Sequence, residues 1–194
     1  MLVNGKNYRT LWIKDNVVNI IDQTKLPFKF EIKKLKKLKD FCDAISKMWV
    51  RGAPLIGVTA AYGLAMCIKE LPNKENIETV YKKLFYTRPT AVNLAWTLNI
   101  LKKELLKEDI SKRKKLAFDI CHKILEDDLK SSIQIAKNGF RIIEAMYKKK
   151  KKPINILTHC NAGWLATIDW GTALAPIYMA KRKKIPVHVW VDET

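Results

Sequence analysis

The chain has 194 residues, 48% of them hydrophobic, enough to bury a real core and too ordered in composition for an intrinsically disordered chain. Its net charge of +18 raises a nucleic-acid role, but only six of the 37 basic residues are Arg, and the Lys residues are spread without interleaved aromatics or a recognition motif. No apolar run is long enough to span a membrane, and the first residues lack the basic-then-apolar plan of a signal peptide.

In chain order, residues 10–13 and 17–21 alternate as strands do and flank Lys14-Asp15-Asn16, a hairpin loop. Leu26-Pro27 breaks the pattern, and residues 28–32 read as a third strand with Phe28, Phe30 and Ile32 on one face. Together they predict a small antiparallel meander. Leu38, Phe41, Cys42, Ile45, Met48 and Trp49 follow helical spacing over 36–49. A second helix is predicted over 55–71, where Gly57, Ala60, Ala61, Gly63 and Ala65 imply close approach of another backbone.

Between these helices stands Val50-Arg51-Gly52-Ala53-Pro54. Pro54 suits the first turn of a helix, whose free amides attract anions, and Gly52 lets a ligand approach the backbone. Arg51 is then either a phosphate ligand or an ordinary surface cation beside a tight turn. Residues 73–86 predict a further helix, followed by Thr87-Arg88-Pro89-Thr90. Thr87 is a candidate cap, and Arg88 repeats the placing of Arg51, a basic residue at the mouth of a helix. Two arginines so placed point to one anionic ligand, a phosphorylated small molecule.

Residues 96–106 and 112–147 are predicted helical, the second with a stripe of Leu116, Ile120, Ile124, Leu125 and Leu129. Glu126, Asp127 and Asp128 fan over different directions and read as a solvated face. His122 has no companion at metal-ligand spacing, and Asn138-Gly139 is expected to stop or kink the helix. The run from Lys148 to Lys152 marks a linker, so the expected organisation is 1–147, a linker at 148–153, and a second domain from 154.

That domain opens with a short apolar strand at 154–157, passes through Thr158-His159-Cys160-Asn161-Ala162-Gly163, and is expected to continue as a helix over 164–180 and a strand at 187–191. Cys160 thus falls at the carboxyl edge of a parallel sheet, where open α/β sheets bind ligands. Asn161 and Gly163 tolerate positive φ, which allows an anion-binding nest that would favour an ionised thiol. If His159 and Cys160 are both extended, their side chains point to opposite faces. The alternative is that Cys160 is a small packed hydrophobe. Cys42, Cys67, Cys121 and Cys160 show no zinc or disulfide spacing, which fits a reducing cytoplasm. The expected fold is α/β: a small antiparallel meander plus helices, then an incomplete Rossmann-like parallel α/β domain, since two strands and one helix cannot cover both faces of a parallel sheet.

Four segments carry a resemblance to a known family. Val50 to Gly57 with Ala60-Ala61-Tyr62-Gly63, and Thr87 to Leu94, are the first two. Thr158 to Gly163 with Gly171-Thr172-Ala173, and Val189 to Thr194, complete the set. In this order they resemble the signatures of methylthioribose-1-phosphate isomerases. The resemblance implies conversion of 5-methylthioribose 1-phosphate to 5-methylthioribulose 1-phosphate in methionine salvage, by a cytoplasmic homodimer without metal or nucleotide cofactor. It implies that Arg51, Gly52, Ala53 and Arg88 bind substrate, chiefly its phosphate, and that Cys160 is one of two catalytic residues. The other is an Asp in a later motif, so a piece of a longer protein, without useful turnover alone, is expected. Alternatives are a non-catalytic regulatory relative from the translation-initiation exchange factor, a ribose-bisphosphate isomerase relative and, third, a nucleic-acid-binding protein.

Overall fold

A computed structural model describes residues 1–192. The chain divides into two compact units, Thr10–Glu126 and a second formed by Met1–Arg9 with Asp127–Thr194. The second unit includes a small hairpin of β1 (Leu2–Val3) and β2 (Lys6–Asn7).

The Thr10–Glu126 unit opens on the meander β3 (Leu11–Lys14), β4 (Val17–Ile21) and β5 (Ile32–Leu35), in the spatial order 3-4-5 and antiparallel throughout. Asp15 and Asn16 both take positive φ, the backbone of a tight two-residue hairpin turn. The third strand lies later than the periodicity of 28–32 indicates, and Phe28 is 96% exposed. The reason is register: β5 pairs Ile32 with Ile21 and Leu35 with Val18, so Leu35 joins Leu11, Val18 and Ile20 on the buried face. The intervening chain is taken up by a 3-10 turn at Gln23–Lys25, capped by the Asp22 side chain.

Four helices follow: α1 (Leu38–Ser46), α2 (Ala53–Ile68), α3 (Lys74–Phe85) and α4 (Val92–Lys107). α2 is buried on all sides from Leu55 to Met66, as an apolar helix without a polar face must be. Its small residues do admit close neighbours. A Cβ at Gly57 would meet the Asn93 carbonyl oxygen at 3.1 Å and Thr97 Oγ1 at 3.0 Å, so α2 and α4 cross at backbone contact. Gly63 does the same against Phe41 of α1 and Leu84 of α3.

α5 (Ile110–Lys150) is a single helix of 41 residues that does not end at Asn138-Gly139 and runs into the lysine run. Gly139 serves space instead: a Cβ there would fall 2.4 Å from Pro176 Cγ. In the first unit the buried stripe of α5 is Ala117, Cys121 and the expected Leu125, whereas Leu116, Ile120 and Ile124 are only half-buried beside it.

Within the second unit, β6 (Ile154–Thr158) pairs parallel with β7 (Val187–Val191), Ile154 opposite Val187 and Thr158 opposite Val191. The helix α6 (Ala175–Arg182) connects them, and Ile143, Ile154, Ala180 and Ile185 form a buried apolar cluster within the unit. The architecture is α/β, an antiparallel meander with helices followed by parallel strands.

Candidate functional site

The turn carrying Arg51 is set by its neighbours. Met48 takes a left-handed φ of 56°, the Val50 amide donates to the Ala44 carbonyl at 3.1 Å, and the Gln23 amide donates to the Trp49 carbonyl at 2.9 Å. Gly52 then caps α2 with φ 90° and ψ 134°, a conformation that strains any residue with a Cβ. Arg51 and Ala53 are exposed, and Gly52 is half-buried.

The Arg88 turn is longer than expected. Thr87 does not cap α4; its hydroxyl donates to the Leu84 carbonyl and closes α3. Two further turn bonds, Arg88 amide to Phe85 carbonyl and Ala91 amide to Arg88 carbonyl, carry the chain to Ala91, which is the residue before α4. Arg88 is half-buried.

α2 and α4, like α6, start without a side-chain cap. Neither Gly52 nor Ala91 supplies a side-chain cap, whereas Asn73 caps α3 through the Asn76 amide at 2.9 Å. Uncapped helix starts keep free amides and a partial positive charge. At their crossing Gly57 lies about one turn, ~6 Å, from the start of α2 and Asn93 is the second residue of α4, so the two mouths come together at one end of the unit. Among the described residues neither guanidinium pairs with a carboxylate. Two arginines and two uncapped helix starts make this end suited to an anion.

In the other unit, Cys160 follows β6 directly, is exposed, and takes a left-handed φ of 65°. Its exposure removes the packed-hydrophobe reading. The positive φ expected at Asn161 and Gly163 falls on the cysteine itself, Gly163 having a φ of −93°. A non-glycine residue there is uncommon, and such strain clusters at functional sites. Cys160 and His159 are therefore not both extended; His159 Nδ1 instead lies 3.4 Å from Asp192 Oδ2. The last two residues of the Val189 to Thr194 segment lie outside the described residues.

The helix expected over 164–180 is interrupted. A 3-10 turn at Trp164–Ala166 is followed by a loop, and α6 begins only at Ala175. Trp170 and Gly171 both take positive φ and reverse the chain. Thr167 Oγ1 donates to the Asp169 carbonyl at 2.9 Å and accepts the Gly171 amide at 3.0 Å. The Ala162 carbonyl accepts the amides of Thr172 at 2.9 Å and Leu174 at 3.3 Å, which ties the Cys160 loop to the start of α6.

Asp128 was expected on a solvated face with Glu126 and Asp127. Those two are exposed, but Asp128 Oδ2 accepts the Ile168 amide at 2.8 Å. Burial pushes its carboxyl above the usual range, with the Ile168 hydrogen bond pulling the other way. Only a distant loop amide gives Asp128 this task, so no local pattern marks it. The Thr158 hydroxyl and the Trp164 indole N–H, on either side of Cys160 in sequence, are buried without a hydrogen-bond partner among the described residues.

Comparison with known proteins adds to this geometry. The pattern of the Initiation factor 2 subunit family matches residues 49–194. The chain is 50% identical, over 196 aligned residues, to the methylthioribose-1-phosphate isomerase of Methylorubrum populi, covering 100% of this chain and 54% of that protein. Against the Escherichia coli O45:K1 isomerase of the same name, identity is 49%, covering 100% and 53%. Among solved structures it is similar to 5-methylthioribose 1-phosphate isomerase from Pyrococcus horikoshii, with TM-score 0.84 and 35% identity over 97% of this chain and 53% of that one. It is also similar to the translation initiation factor eIF-2B subunit delta from A. fulgidus, with TM-score 0.81 and 33% identity over 97% and 55%. The chain spans about half the length of the curated relatives it matches.

Proposed function

The chain belongs to the Initiation factor 2 subunit family, and on that footing we propose that it forms part of a methylthioribose-1-phosphate isomerase. The observation that carries this reading is the shared end of α2 and α4, where two uncapped helix starts follow Arg51 and Arg88. In this reading Arg51, Gly52, Ala53 and Arg88 bind the substrate phosphate. The fork of a guanidinium matches phosphate oxygens, and Gly52 leaves the α2 amides open to approach.

The chemistry sets what else is needed. A phosphate on C1 blocks simple ring opening, so an acid must protonate the ring oxygen. A second group must assist hydrogen transfer between C1 and C2, by proton relay or hydride shift. Cys160 is proposed as one of these two groups, presented by strained backbone in a loop that the Ala162 carbonyl ties down. The dimeric state and a cytoplasmic setting belong to the same proposal. The rival reading is a non-catalytic regulatory subunit, for which the eIF-2B delta likeness speaks; the 50% identity to an isomerase favours the enzyme.

Calorimetric titration of the chain with 5-methylthioribose 1-phosphate tests the reading. Saturable binding weakened by about tenfold or more in Arg51→Ala and in Arg88→Ala supports it, since each removes a charge-assisted hydrogen bond of about 1.5–3 kcal/mol. Equal binding by wild type and both variants rejects it.

A further inference from the structure

The Arg51 turn is reached through Trp49, and Trp49 is held from three sides. Its carbonyl accepts the Gln23 amide at 2.9 Å, the next residue, Val50, donates to the Ala44 carbonyl at 3.1 Å, and its ring carries the Lys33 ammonium 4.2 Å from the centroid. Lys33 is itself fixed. Its Nζ lies 3.2 Å from Asp22 Oδ2 and 3.8 Å from Glu31 Oε1. The Asp22 side chain is 1% exposed, and its Oδ1 accepts the Thr24 amide at 3.0 Å and the Thr24 hydroxyl at 2.7 Å. Asp22 also precedes Gln23, so one strand end anchors both the backbone and the ring of Trp49.

A buried carboxylate paired with an ammonium is a weak means of stabilising a fold, because desolvating the charges offsets much of their attraction. An apolar pair would hold a meander corner as well. What a cation over an aromatic face adds is direction: it fixes the ring plane, and hence the path of a chain whose next charged group, Arg51, stands exposed without a carboxylate partner. We propose that Lys33, clamped between Asp22 and the Trp49 ring, is a positioning residue for the Arg51 turn, and so sets the geometry with which that turn receives an anion.

This inference rests on the reading of Arg51 as a phosphate ligand, and the experiment separates the two. Wild type, Arg51→Ala, Lys33→Met and Lys33→Arg are titrated with 5-methylthioribose 1-phosphate, and backbone heteronuclear NOE values are measured without ligand. Lys33→Met keeps the aliphatic stem and removes the charge; Lys33→Arg restores a cation over the ring. The expected result is affinity lowered about five- to tenfold in Lys33→Met, as small misplacements of a binding group produce, and recovered to within about twofold in Lys33→Arg. The NOE at Arg51 and Gly52 drops in Lys33→Met and returns in Lys33→Arg, while that at Asn93 stays put. Binding lost in Arg51→Ala but unchanged in Lys33→Met overturns the positioning role. Binding unchanged in Arg51→Ala overturns the reading of Arg51. An unchanged NOE at Arg51 in Lys33→Met overturns the positioning role even where no ligand binds. If Lys33→Met does not fold, Trp49→Phe with Lys33 intact provides the same comparison.

Discussion

Gly171 crosses Gly163 at backbone contact: a Cβ built at 171 would lie 2.5 Å from the Gly163 carbonyl carbon and 2.7 Å from its oxygen. The position also has φ +81°, so an L side chain there is strained even before it meets its neighbour. Gly171→Ala is therefore expected to destabilise the chain by about 3 kcal/mol, lowering the melting temperature by about 6–12 °C. A thermal scan showing less than about 2 °C of change would mean that this crossing does not hold the Cys160 loop.

Asp128 separates a hydrogen bond from a charge. Its carboxyl is pushed up by burial, so the stability it contributes is full below the ordinary value of 3.8 and is lost as pH rises through the higher folded value. Asp128→Asn keeps an acceptor for the Ile168 amide and removes the buried charge, so it should match wild type in acid and equal or exceed it at pH 7. Asp128→Ala leaves that amide unpaired and should cost about 1–3 kcal/mol at both pH values. Chemical denaturation of the three proteins across this range is the measurement. A gap between Asn and wild type that narrows as pH rises would contradict the assignment.

Asp22 has the opposite sign. Burial works against its charge, yet the Thr24 hydroxyl and amide and the Lys33 ammonium hold its carboxyl below the usual range. Its contribution is present above 3.8 and is lost as pH falls through the lower folded value. Asp22→Asn should lose about 1–3 kcal/mol at pH 7, with the deficit closing as wild type is acidified. A deficit that persists unchanged at pH 2 would assign the loss to packing rather than charge.

Gly139 sets two effects against each other. Glycine to alanine inside a helix ordinarily stabilises by about 1 kcal/mol. Here the new methyl would fall 2.4 Å from the Pro176 ring, which has no flexible end to swing away. Gly139→Ala should therefore destabilise by about 1–3 kcal/mol, and the double variant with Pro176→Ala should recover more than the single effects sum to. Simple additivity in the cycle would refute the contact.

The four cysteines differ in access. Cys160 is exposed and Cys121 is buried; burial pushes the thiols of Cys42, Cys67 and Cys121 up, that of Cys67 to about 11. At pH 7.5 iodoacetamide should alkylate Cys160 first, and Cys160→Ser should remove the fast phase seen by mass spectrometry. Fast labelling of Cys67 instead would show that α2 opens readily.

Most elements were legible because their signals are local. Helix α1 follows 3.6-residue apolar spacing, α2 reads as an apolar run rich in small residues, the strands at Val17–Ile21 and Val187–Val191 follow β-branched runs, and the arginines beside Gly52 and Pro89 follow turn chemistry. The family motifs around Arg51, Arg88 and Cys160 were legible for the same reason, each lying within a few consecutive residues. The tertiary structure alone decided the rest. Leu35 rather than Phe28 fills the meander core because strand register is a property of the partner, β4. α5 runs on through Asn138-Gly139, where the missing side chain of Gly139 makes room for Pro176 rather than ending the helix. The expected helix at 164–180 is interrupted where Trp170 and Gly171 take positive φ and the Ile168 amide bonds to the distant Asp128 carboxyl. Cys160 takes the left-handed turn that Asn161 and Gly163 were suited to. Periodicity records which face a residue prefers, whereas the meander register, the Gly139–Pro176 approach and the Asp128–Ile168 bond depend on what that face meets, and that is fixed by residues far away in the chain.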